Sequence, residues 1–137
     1  MTDAALVAKK LSQIETCLAD LRRLARPDQL ETDVRERRFV EHTLQVAIQA
    51  ALDVASHIVS DERLGEPQTN RDLFDLLATA GWIDARLAAP LKNMAGFRNI
   101  LVHGYADVDL NVVRSVLASH LDDLATFVGT IRPRLRS

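Results

Sequence analysis

The chain has 137 residues, 17 Lys and Arg against 19 Asp and Glu for a net charge of −2, and is 47% apolar with only 5 Gly and 4 Pro. That size supports one modest core, and that balance excludes a disordered tail, a low-complexity array and a chain-wide positive field for nucleic acid or an anionic membrane, so any polyanion site is local. Aromatic residues make up 4%, while Leu, Ala, Val and Arg abound, which favours an all-α fold in a single domain spanning residues 1–137. No apolar run approaches the roughly 18 to 20 residues of a spanning helix, so no membrane segment is expected. The start lacks the basic and then continuously apolar pattern of a signal peptide. The lone Cys17 lies among leucines and reads as a small core residue in a reducing, cytoplasmic setting.

Val7, Leu11, Ile14, Leu18, Leu21 and Ala25 recur at spacings of 4, 3, 4, 3 and 4, one apolar stripe of a first helix. Thr2 or Asp3 caps its start, and Pro27 stops it by forcing the preceding residue out of helical geometry. A second helix opens between residues 28 and 33 and runs to about His57 or Ser60. It carries two stripes, one through Val40, Leu44, Ala47, Ala51, Val54 and Ile58 and another through Ile48, Leu52, Ala55 and Val59. Such a helix is buried on more than one side, at the centre of a bundle or against a second subunit. The stretch Asp61 to Asn70, with Gly65 and Pro67, reads as a loop.

Asn70 is placed to cap a short third helix that Gly81 ends, and Asp84 opens a fourth that reaches about His103. Pro90 inside it is expected to kink or split it, with the better-formed part following the proline. Asp107 or Asp109 caps a last helix whose stripe runs Leu110, Val113, Leu117, Leu121, Leu124, Val128 and Ile131, ending at Pro133. The sum is an up-and-down bundle of about five helices.

The densest polar cluster falls at the end of the fourth helix: Arg98, Asn99, His103 and, beyond Gly104, Tyr105. Asn99 and His103 share a face, whereas Arg98 and His103 stand about 140° apart, an angle only the long arginine side chain bridges. A guanidinium grips phosphate oxygens and an imidazole titrates near neutrality, so the pair suits phosphoryl chemistry; each also reads as an ordinary solvated group at a helix end. Asp53 and His57, four apart on the second helix, are candidates for a buried hydrogen-bonded pair that supports a cleft or merely satisfies the core. Arg22, Arg23 and Arg26 face Arg35, Arg37 and Arg38 across the first hairpin, either as phosphate contacts or as a solvated charged face. His42 and His120 lack ligand-spaced companions, so no metal site is expected, and neither a glycine-rich phosphate loop nor any other cofactor motif is present.

The run Arg98, four residues, His103, Gly104, Tyr105 resembles the signature of HepT-like toxins, a branch of the HEPN superfamily. The wider stretch Met94 to Tyr105, the second-helix run Gln49 to Val59 and the segment Leu76 to Ile83 are also similar to that family. The resemblance implies an HEPN-like helical bundle and a metal-independent endoribonuclease toxin that works as a homodimer and cuts RNA, whether tRNA or mRNA, through 2′-OH attack. It implies His103 as general acid or base, Arg98 as phosphate clamp and Asn99 as a supporting residue. It further implies that Tyr105 is modified with AMP by an antitoxin, a minimal nucleotidyltransferase of the MntA type. The alternative is a non-catalytic HEPN-like module that binds nucleotides or partner proteins.

Overall fold

The structure is a computed structural model that describes residues 3–103 and 108–135; among them there is no strand. Six α-helices follow one another: α1 (Ala4–Leu24), α2 (Val34–Asp61), α3 (Asn70–Thr79), α4 (Ala85–His103), α5 (Leu110–Ser115) and α6 (Leu121–Ile131). A π turn, Val116–His120, joins α5 to α6 without a break, so the last three segments form one long rod. Counted that way, the molecule is the expected all-α bundle of five helices.

Local chemistry sets the boundaries. The Asp3 side chain accepts the Leu6 N–H at 3.1 Å and so starts α1, and Asp33 does the same for Arg35 and Glu36 at the head of α2. Asn70 was expected to cap α3, but it is the first helical residue, and the cap is Thr69. Thr69 and Asp72 close a reciprocal capping box, in which the Thr69 hydroxyl accepts the Asp72 N–H and the Asp72 carboxylate accepts the Thr69 N–H. That double arrangement satisfies two helix-end donors where Asn70 would satisfy one. Asp84 accepts the Leu87 N–H at 2.8 Å and opens α4, and Asp109 caps α5 through the Asn111 N–H, Asp107 lying outside the described residues.

The expected interruption at Pro90 does not occur, for α4 is unbroken from Ala85 to His103. Pro90 lies in the second turn and deprives only the carbonyl of Arg86, an exposed residue whose backbone water can satisfy. A second correction concerns the last stripe. Val116 is the buried residue, at 5% exposed, while Leu117 is only half-buried. The π turn inserts one extra residue between Val116 and Leu121, so a spacing of five replaces the helical four.

The helix α2 lies at the centre, packed against α1, α3, α4 and α6, and twelve of its residues are buried. Both of its stripes are thereby covered within the chain. Its neighbours contribute Leu11, Ile14 and Leu21 from α1, Phe74 and Leu77 from α3, Leu91 from α4 and Leu124 and Phe127 from α6, all nearly inaccessible. Phe74 and Phe127 meet edge to face, with ring centres 5.9 Å apart. Polar ties close the outside of the bundle. Arg132 donates to both Glu15 oxygens at 3.0 and 2.8 Å, which binds the end of the rod to α1 and holds the Glu15 carboxyl below its ordinary range. Arg114 pairs with Glu31 and donates to the Pro27 carbonyl, fixing the rod's other end to the turn after α1.

Candidate active site at the end of α4

The helices α3 and α4 run antiparallel, with Lys92 bound to Asp75 at 3.0 Å. One turn nearer the start of α3, the Arg71 guanidinium reaches the α4 backbone at Gly96, its Nη1 lying 3.4 Å from where a β-carbon would stand there. With α3 beginning at Asn70, the last two turns of α4 extend past its first residue. Those turns carry the polar cluster, and its side chains are consequently not covered by α3.

Arg98 is half-buried and Asn99 and His103 are exposed. The Arg98 guanidinium bends toward its neighbour and donates from Nη1 to the Asn99 amide oxygen at 3.3 Å. Asn99 shares a face with His103, so this bond turns the arginine toward the histidine's side of the helix, as the 140° separation required. No hydrogen bond joins His103 to either residue among the described residues. The Arg98 Nε is buried and meets no acceptor among the described residues. A buried donor left without an acceptor costs roughly 1–3 kcal/mol. Among the described residues Arg98 also has no carboxylate bound to it, unlike Arg22, Arg114 and Arg132.

Tyr105 lies outside the described residues. Asp53 and His57 are not brought together: Asp53 accepts from Gln49 Nε2 at 2.8 Å and pairs with Lys10 of α1 at 3.2 Å, so it links two helices and leaves His57 half-buried without it. Within α2 the spacing of four admitted either partner, and the cation from the neighbouring helix won the carboxylate. Of the arginines at the first hairpin, Arg22 is held by Asp122, Arg23 by Asp20, and Arg37 by the carbonyls of Leu30 and Glu31. Cys17 is 8% exposed and burial raises its thiol, which makes it a poor nucleophile. Among the described residues no three His, Cys, Asp or Glu side chains converge as a metal site.

Two polar features escaped the spacing of the sequence. Glu41, on the central helix, is 8% exposed, has an oxygen without a partner and is pushed up by burial despite Arg37 and Arg38 nearby. His120 lies in the π turn, its Nδ1 2.9 Å from Asp123. It borders an open cleft of about 120 Å³ between α4 and the rod, lined also by Pro90, Asn93, Met94, Phe97 and Val116. Neither has a periodic signature: a glutamate among charged neighbours reads as solvated, and the π turn moves His120 off the position a regular helix would assign.

The chain matches the family model described as ribonuclease HepT-like over residues 14–131. It is 34% identical over 128 residues to the mRNA nuclease HepT of Shewanella oneidensis, covering 93% of this chain and 96% of that protein. It is 31% identical over 108 residues to the tRNA nuclease HepT of Aphanizomenon flos-aquae, covering 79% and 74%. A solved structure of the tri-AMPylated Shewanella oneidensis HEPN toxin in complex with MNT antitoxin superposes with a TM-score of 0.87 at 34% identity, over 97% of this chain and 99% of that one. With the helical bundle, the uncovered end of α4 and these likenesses together, the chain belongs to the HepT-like ribonuclease family.

Proposed function

We propose that this chain is the toxin of a toxin–antitoxin pair, a metal-independent endoribonuclease whose centre is Arg98 and His103, completed by a second copy of the chain. The observation that carries the proposal is Arg98: half-buried and, among the described residues, free of any bound carboxylate and with its Nε lacking an acceptor, it stands on the end of α4 beyond α3, five residues before His103. A guanidinium so placed binds a phosphate and offsets the charge that builds on it in the transition state. His103 takes the proton from a ribose 2′-OH, the 2′ oxygen attacks the adjacent phosphorus, and the 5′ oxygen departs with a proton from an acid. A single histidine cannot be both base and acid in one step, and His103 of the second copy supplies the other role. The products are a 2′,3′-cyclic phosphate and a 5′-hydroxyl end. Asn99 steers Arg98 through the bond at 3.3 Å.

The same reading assigns Tyr105, two residues past His103, as the point of control. A nucleotidyltransferase antitoxin transfers AMP to its hydroxyl, and the added bulk and negative charge repel RNA from a site built for phosphate. The likeness to an AMPylated toxin in complex with its antitoxin supports this assignment.

The test is incubation of purified protein with RNA in excess EDTA, beside Arg98→Ala and His103→Ala. Cleavage that survives EDTA, leaves cyclic-phosphate ends and falls about 10²- to 10⁴-fold in each variant is expected. Absence of cleavage by protein shown by mass spectrometry to carry an unmodified Tyr105 would favour a non-catalytic binding module.

A further inference from the structure

The α3–α4 contact holds one cation that is paired and one that is not. Lys92 has Asp75. Arg71, one turn away, has no hydrogen bond or ion pair among the described residues, and it is exposed. Its natural helical partner four residues on is that same Asp75, already held by Lys92. The adjacent Asp72 is spent on the backbone N–H groups of Gln68 and Thr69, at 2.8 and 3.2 Å. The capping box anchors the first turn of α3, and the missing side chain of Gly96 leaves room for the guanidinium beside the α4 backbone.

Gly96, Asn99 and His103 follow at spacings of three and four and therefore line one face of α4. Gly96 and His103 are two turns apart, about 10 Å along the helix axis and within about 20° of the same direction. Arg98 leaves the helix about 160° round from Gly96. Arg71, from another helix, thus sets a second guanidinium along the face that carries His103, at a distance that a short stretch of extended strand covers.

Resting on the ribonuclease reading, we propose that Arg71 is an RNA-positioning residue that binds a backbone phosphate of the same strand, beyond the phosphate at which cleavage occurs. It adds affinity and register without touching the reacting atoms. Arg98 holds the scissile phosphate, Arg71 a neighbouring one, and His103 of the same chain stands between strand and helix at the far end of this face.

The test measures binding of a single-stranded oligoribonucleotide to the non-cleaving His103→Ala protein over a range of salt concentrations, with and without Arg71→Gln, alongside steady-state cleavage by the single variant Arg71→Gln. Loss of one phosphate contact is expected to flatten the slope of log affinity against log salt by about 0.7. KM should rise about five- to tenfold with kcat within twofold, and Arg71→Lys should restore most of the slope. An unchanged slope and KM in protein that still cuts RNA overturns the assignment of Arg71 while leaving the ribonuclease reading intact. So does a loss confined to kcat. Wild-type protein that neither binds nor cuts the oligonucleotide overturns both.

Discussion

Glu41 shows how a single buried charge shapes the pH response of the fold. Desolvation raises its carboxyl above the ordinary value of 4.5, outweighing the attraction of Arg37 and Arg38. Over a window just above that value the folded chain keeps a proton that the unfolded chain has lost, so this group's contribution to stability falls as pH rises through the window and stays low at neutral pH. Glu41→Gln removes that penalty. It is expected to raise the melting temperature at pH 7 and leave it nearly unchanged at pH 4, where both states carry the proton. A variant that melts lower at pH 7 would mean that the attraction of Arg37 and Arg38 outweighs the desolvation. Arg98 is a contrasting case at this scale, a half-buried cation whose Nε has no acceptor among the described residues and whose Nη1 donates to Asn99.

Among the elements, the rod from Leu110 to Ile131 departs most from regular pattern. Its π turn takes up one residue more than an α-helix would between the buried Val116 and Leu121. Deleting the exposed Ala118 restores a spacing of four and keeps Val113, Val116, Leu121, Leu124 and Ile131 on one side. The melting temperature is therefore expected to move by only a few degrees, since no core contact is lost. Deleting the equally exposed Thr126 rotates Phe127, Val128 and Ile131 by about 100° away from the core and should cost about 3 kcal/mol or more in chemical denaturation. Equal losses in the two deletions would show that the π geometry itself is required for packing.

For the whole molecule, four large apolar side chains are exposed among the described residues, with Val34 at 58% and Leu24 at 48% the most so. Ile100 and Val112 are 46% and 41% exposed, and Ile100 sits between Arg98 and His103. A composite centre needs a second copy close to this end of α4, and these side chains are suited to meet it. Ile100→Asp is expected to yield monomers by light scattering and to abolish cleavage while leaving helical content intact. A dimer that persists with full activity would place the subunit contact elsewhere.

Periodicity alone was enough for the five-helix architecture, because a stripe at spacings of three and four states which face is buried, and Pro27, Gly81 and Asp84 mark boundaries through backbone chemistry that acts locally. The cluster of Arg98, Asn99 and His103 was legible for the same reason: its members are neighbours on one helix. What the sequence could not state was which groups from different helices meet. Asp53 looked free for His57 until α1 brought Lys10 against it. Pro90 looked disruptive until its single lost bond fell on the exposed Arg86. Arg71 came against Gly96 only through the antiparallel packing of α3 on α4, and Glu41 became a buried charge only through the packing around α2. Local order follows from short-range sterics and hydrogen bonding written along the chain, whereas pairing and desolvation depend on distances that exist only once the helices have packed.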